Sequence, residues 1–184
     1  MQASTNIQGL KEGNPKMQQA FFARYARQQY ATCRRYLSSP HEAEEAMMSG
    51  MLKVFSQIGK AQLDSEAALQ AWMRRIMINE CLQKLRSQSS LLVLAEPTEN
   101  DTESAYGPDV ALDAKELFAL LEQLPAGYRT VFNLYVVEGC THRQISEWLH
   151  ISEGASKSQL SKARRYLAQL YHQKMNYHGL GKTR

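Results

Sequence analysis

The stretch CTHRQISEWLHISEGASKSQLSKARRYL, residues 140–167, decides the fold. It reads as a helix, a tight turn and a second helix. Thr141 begins the first helix, and Gln144 three residues on completes the form of a capping box. Ile145, Trp148 and Leu149 share one apolar face at i, i+3 and i+4. His150, Ile151 and Ser152 make the turn, and Ser152 is a good cap for the helix that follows. Leu160, Ala163, Leu167 and Leu170 continue at helical spacing, which leaves Lys157, Gln159, Ser161, Lys162, Arg164 and Arg165 on the other face. From Gly154 to the C-terminus there are seven Lys or Arg and no Asp or Glu. Such a charge bias neutralises phosphates and releases counterions. Gly154, Ala155 and Ser156 are small residues at the start of the second helix, where a backbone approaching a partner needs them. Together these features favour a helix placed in the major groove of DNA over a helical hairpin with a solvated basic face.

Working outward, 184 residues suit one domain or two small ones. The composition is 43% hydrophobic and 22% charged, with a net charge of +4, which leans toward an acidic partner. Cys33, Cys81 and Cys140 are far apart in sequence and show no CxxC spacing, so neither a zinc site nor a disulfide framework is expected. Each is read as a buried or half-buried thiol in a reducing compartment. No stretch has the apolar core of a signal peptide or the length of a membrane span, so a cytoplasmic protein with no membrane insertion of its own is expected.

The rest of the chain predicts only helices. Residues 1–15 are polar and read as a flexible N-terminal tail. From Lys16 to Leu37 the pattern is helical and rich in aromatics and Arg; Ser39 and Pro40 then cap and open the next helix. In that helix Ala43, Ala46, Met47, Gly50, Met51, Val54, Phe55 and Ile58 form one apolar stripe. Glu42, Glu45, Ser49, Leu52 and Lys53 face outward, and an exposed Leu52 or Met48 is either unremarkable or part of a docking surface. Residues 59–66 read as a loop, with Asp64 or Ser65 capping a helix from about 67 to 86. Asn79 lies within it, either as a satisfied polar group or as a base reader with donor and acceptor side by side. Six acids and no Lys or Arg occur from Glu96 to Asp113, the mark of a flexible tether between two lobes. In the second lobe Leu117, Leu120, Leu121 and Leu124 share a face, Pro125 breaks the helix, and a short helix is predicted from about Tyr128 to Val137. The five His are scattered on polar segments, and no P-loop, dinucleotide fingerprint or HExxH is present. No catalytic or metal-ligating constellation emerges, so no cofactor and no enzyme activity are expected.

The two lobes carry more specific patterns. EAEEAMMSGMLKVF (42–55) and AWMRRIMINECLQKLR (71–86) resemble region 2 of bacterial sigma-70-type promoter-recognition subunits. LPAGYRTVFNLYVVEG (124–139) and HRQISEWLHISEGASKSQLSKARRYL (142–167) resemble region 4. The chain thus resembles an extracytoplasmic-function (ECF) sigma factor over about residues 17–170. The resemblance implies an all-α protein of two small helical domains: region 2 over 16–88, a flexible acidic linker over 89–113, region 4 over 114–172, and a basic C-terminal tail over 173–184. It implies binding to core RNA polymerase, at the beta-prime clamp helices and the beta flap, to promoter DNA and to an anti-sigma factor. The polymerase face carries over to Glu45, Ser49, Leu52 and Lys53. Capture of a flipped minus-ten base carries over to Trp72, Arg75 and Asn79, beside the loop 59–66. Reading of the minus-thirty-five duplex carries over to Lys157, Ser158, Ser161 and Lys162, with Arg164 on phosphate. The chain departs from the family at Met48 and Ser49, where a Gln and an acid are usual, at Ser156, where a buried Val is common, and at Gln159, where a base is common. An amide at 159 favours adenine, so Gln159 is expected to shift base preference. Two other readings stand beside this one: a helix-turn-helix transcription regulator that is no polymerase subunit, and a helical adaptor that binds no DNA.

Overall fold

The structure, a computed structural model, describes residues 9, 10, 12–87 and 114–180. The acidic stretch expected at 89–113 and the last four residues of the basic tail lie outside the described residues. All regular structure among the described residues is helical. The chain forms two compact units, divided after Ser87.

The first unit is a bundle of three helices, each started by a polar side chain. Helix α1 spans Pro15–Tyr36; the Asn14 carboxamide accepts from the backbone of Lys16 and Met17, and Pro15 opens the first turn. Helix α2 spans Pro40–Gln57, with the Ser39 hydroxyl accepting from Glu42 N–H. Helix α3 spans Glu66–Ser87, and of the two candidate caps Ser65 is the one used, its Oγ accepting from Ala68 N–H at 3.1 Å. The α2 stripe is buried from Ala43 to Ile58, with Phe55 half-buried against Phe21. Opposite it lie Met73, Met77, Cys81 and Leu85 of α3 and Phe21, Tyr25, Cys33 and Tyr36 of α1. Gly50 sets the closest approach: a Cβ there would stand 2.4 Å from Met77 Sδ. Any side chain at 50 forces Met77 to move within a filled core.

One expectation is corrected at this end of the molecule. The flexible tail read over 1–15 does not extend through its last residues. Leu10 is buried to 2% exposure, Gly13 turns the chain at φ +71°, and Asn14 N–H donates to Gly9 C=O at 3.0 Å. Ile7 and Leu10 are three residues apart, but two apolar residues in a polar stretch are too few to set a period, so the pattern does not mark Leu10 as core.

The second unit begins with α4, Ala114–Leu121, whose Leu120 and Leu121 are buried together with Leu124. Pro125 starts α5, Ala126–Phe132. The single helix expected to Val137 is instead an α-helix that widens into a π-helical turn over Asn133–Val137. Buried side chains bind the backbone there: Asn133 Nδ2 donates to Arg129 C=O at 2.9 Å, and Arg129 Nη1 to Glu122 C=O at 3.2 Å. π-turns inside helices are rare and leave no signature in hydrophobic spacing. Gly139, at φ +71°, then turns the chain into α6, His142–Leu149. Helix α7, Glu153–Leu180, closes the unit.

Candidate nucleic-acid interface

The helix-turn-helix is built by the local chemistry that the sequence predicts. Gln144 N–H donates to Thr141 Oγ1 at 3.2 Å, and Thr141 N–H donates back to Gln144 Oε1 at 2.9 Å. His150 ends α6 in the left-handed region, φ 56°. Ser152 Oγ then accepts from Ala155 N–H at 3.0 Å and starts α7. Ile145 and Leu149 are buried, and Trp148 is half-buried.

Helix α7 buries Ser156, Gln159, Leu160, Ala163 and Leu167. Lys157 and Arg164 are exposed on its opposite side, and Ser158, Ser161 and Lys162 are half-buried there. The five residues carried over for duplex reading therefore share one side of one helix, and Arg164 lies 6.0 Å above the Tyr135 ring.

Two expectations fail on this helix. Gln159 belongs to the buried face, at 3% exposure, and cannot present its amide to a base. Ser156 is fully buried as well, so it does not clear space for a partner. Stepping back from Ala163 by four and by seven residues reaches Gln159 and Ser156, so the helical period already placed both inward. Polarity disguises Gln159; small size disguises Ser156, although the resemblance puts a buried Val there. His142 is half-buried: its ring stacks on Tyr135 and its Nδ1 sits 2.9 Å from Ser156 Oγ. Burial, and then the charge of Lys157, hold this imidazole below the usual histidine range.

In the first unit Glu45, Ser49, Leu52 and Lys53 line a single open groove. Helix α3 supplies its other wall through Glu80, Gln83, Lys84 and Ser87. Leu52 is 67% exposed and Met48 44%, so apolar surface lies open along this face. Ion pairs cross the groove, Lys53 to Glu80 at 2.6 Å and Lys84 to Glu45. The hydrogen bond from Lys84, then its charge, hold the Glu45 carboxyl below the usual carboxylate range. A second groove lies alongside, lined by Gln57, Ile76, Asn79 and Arg86 and sharing Lys53, Glu80 and Gln83 with the first. Asn79 is exposed and opens into it. Trp72 and Arg75 lie on the same stripe of α3 at i−7 and i−4 from Asn79, half-buried and exposed, but outside this groove. Glu80, Gln83 and Lys84 were not expected at either site. The ion-pair partners of Glu80 and Lys84 lie 27 and 39 residues away, and no local pattern joins them.

The described residues hold no group of three or more His, Cys, Asp or Glu placed to bind a metal. Cys33 and Cys81, expected as separate thiols, meet in the core of the first unit as free thiols; their mutual hydrogen bond, then burial, push the Cys81 thiol far up. Such a thiol is inert at neutral pH.

A lobe with a basic helix-turn-helix, joined in one chain to a grooved three-helix lobe, fits the class of helical DNA-binding proteins. The comparisons with known proteins narrow the class. The model of sigma-70 region 2 matches residues 21–91, and that of sigma-70 region 4 matches residues 114–167. The ECF RNA polymerase sigma factor SigM of Mycobacterium tuberculosis is 27% identical over 152 residues, 81% of this chain and 74% of that one. The ECF RNA polymerase sigma factor SigW of Bacillus subtilis is 24% identical over 180 residues, 91% of this chain and 95% of that one. Among solved structures, the sigma factor RpoE from Bartonella quintana, determined in complex with the anti-sigma factor NepR, has the same fold, with a TM-score of 0.51, 19% identity, and coverage of 84% of this chain and 96% of that one. The chain belongs to the sigma-70 family as an ECF sigma factor, a non-catalytic RNA polymerase subunit that directs transcription initiation.

Proposed function

We propose that this sigma factor reads its promoter in two places while held on core polymerase in the cytoplasm. Its region 2 docks on the clamp helices of the beta-prime subunit through Glu45, Ser49, Leu52 and Lys53. The observation that carries this is the open groove that those four residues line on one wall, facing α3, with Leu52 exposed in it. The adjoining groove takes the opened minus-ten strand. Asn79 presents an amide donor and acceptor to a base edge, while Trp72 offers a stacking surface and Arg75 a phosphate contact. Extruding a base costs a few kcal/mol. Stacking on an aromatic ring recovers about 1–3 kcal/mol, and the edge contacts supply the remainder. Because Lys53 and Glu80 line both grooves, seating on polymerase and holding the strand involve one ion pair.

Region 4 lays α7 in the major groove of the minus-thirty-five element, with Lys157, Ser158, Ser161 and Lys162 toward the bases and Arg164 on phosphate. It docks on the beta flap. An anti-sigma factor covering both lobes is the expected inhibitor; the complex of the Bartonella quintana sigma factor with NepR supports that partner class. No described helix is long and apolar enough to cross a membrane.

The test is run-off transcription with core polymerase on a two-element promoter. Initiation is expected, and scrambling either element should sharply reduce it. Lys157→Ala with Lys162→Ala should remove dependence on the minus-thirty-five element and spare binding to polymerase. Unchanged promoter preference in that double variant would refute the assignment. High-affinity binding to duplex DNA with no effect on polymerase would favour an ordinary helix-turn-helix regulator.

A further inference from the structure

The start of α7 determines where Lys157 and Ser158 fall, so whatever anchors that turn sets the register of the reading face. Ser156 precedes Lys157 and faces the opposite way, fully buried. Its Oγ lies 2.9 Å from Nδ1 of His142, the first residue of α6. The His142 ring is itself fixed, stacked on Tyr135 of the π-helical turn with centroids 4.6 Å apart and an interplanar angle of 24°. The same Tyr135 ring also meets the Arg164 guanidinium, 6.0 Å from its centroid. A closed circuit results: from the first turn of α7, through α6 and the π-turn, back to α7 eight residues on. Lys157, Ser158, Ser161 and Lys162 all lie between its two ends.

We infer that His142 is a positioning residue for reading the minus-thirty-five element, acting through its hydrogen bond to Ser156 and its stacking on Tyr135. An apolar side chain at 156 would fill the same space, but dispersion contacts tolerate sliding and rotation, whereas a hydrogen bond weakens steeply away from its preferred length and angle. The next polar residue on this buried face, Gln159, offers no second tether, because neither of its amide atoms has a hydrogen-bond partner. The Ser156 hydroxyl is thus the directional anchor of the buried face, and His142 holds it. The π-turn gives the circuit its other fixed point: Cys140 N–H donates to Leu134 C=O at 2.9 Å, so the path from Tyr135 to His142 is closed by a backbone bond.

This inference rests on α7 being the duplex-reading helix, and the experiment separates the two. The full chain is assembled with core polymerase, and the quantity read is the ratio of initiation from a promoter with an intact minus-thirty-five element to one with that element scrambled. His142→Phe keeps an aromatic ring on Tyr135 and removes the nitrogen; Ser156→Ala removes the hydroxyl; His142→Asn keeps a polar atom near the position of Nδ1. His142→Phe and Ser156→Ala should each lower the ratio by roughly five- to tenfold, the range of one modest hydrogen bond. Combined, they should lower it no further than the worse single variant, since both remove the same bond. His142→Asn should restore most of the ratio, which general loosening of the lobe does not predict. Circular dichroism on each variant confirms that the comparison is between folded chains. Multiplicative effects in the double variant, or an unchanged ratio in both single variants while Lys157→Ala with Lys162→Ala collapses it, would overturn the positioning role alone. An unchanged ratio in that lysine variant as well would overturn the duplex-reading assignment, and this inference with it.

Discussion

Leu52→Ala is the sharpest test of how region 2 meets polymerase. Leu52 sits on the outward face of α2 at 67% exposure, in the groove it shares with Glu45, Ser49 and Lys53. Burying a whole Leu side chain is worth about 1.5–3 kcal/mol, and about two thirds of that area is still open here, so full burial on docking adds about 1–2 kcal/mol. At about 1.4 kcal/mol per factor of ten, truncation should weaken binding to core polymerase roughly five- to thirtyfold. The isolated chain should lose little, about 0.5 kcal/mol or less, because the side chain contributes little to its own core. Competition against labelled wild-type protein for core polymerase measures the first quantity, and chemical unfolding the second. A folded variant that binds within about twofold of wild type would show that Leu52 stays wet in the complex. The polymerase face would then have to be sought elsewhere on the lobe. A large stability loss would refute the premise that its exposed area was free to be buried.

Asn79→Ala should relax base preference in the minus-ten element while leaving affinity for polymerase unchanged; a saturation profile of that element checks it, and an unaltered profile would return Asn79 to a solvated surface residue. The pH response of the second unit follows from His142. Its folded value is depressed by burial and then by Lys157, with Arg164 acting in the same sense and Glu153 opposing. The unfolded chain therefore takes up the proton first, so stability should be intact above the ordinary value of about 6.5 and should fall as pH drops through the folded value. An NMR titration of the His142 ring should give a midpoint under about 6.5, and His142→Phe should flatten the stability profile in that window; a midpoint at or above the ordinary value would contradict the packing of this ring.

Much of the architecture is legible in the residues because helices depend on short-range patterns. The Thr141–Gln144 capping box, the Ser39–Pro40 start of α2 and the stripe from Ala43 to Ile58 involve residues a few positions apart, and each appears in the structure as the pattern implies. What failed to show had identifiable causes. Leu10 stands in a short, mostly polar stretch, where Ile7 three residues before it is too little to define a core face. Gln159 lies at a core position of α7 but is polar, and polarity suggested surface where the helical period pointed inward; Ser156 suggested room for a partner by its small size, although the resemblance puts a buried Val there.

The candidate site divides along the same line. Residues on one helix face, such as Glu45, Ser49, Leu52 and Lys53, are grouped by the 3.6-residue repeat before any folding is considered. That Glu80, Gln83 and Lys84 complete their groove, that Lys53 is shared with the Asn79 groove, and that Cys33 meets Cys81 are outcomes of how α1, α2 and α3 cross. The Gly50–Met77 approach helps set that crossing. The bond from His142 to Ser156 is of the same kind: fourteen residues separate them, and the π-turn that aims Tyr135 at the His142 ring has no sequence signature. Which helices form and which faces they present follow from the order of residues alone, because that information is local and periodic. Only the tertiary structure decided which faces meet and which polar groups are paired, because those contacts join residues whose separation along the chain carries no pattern.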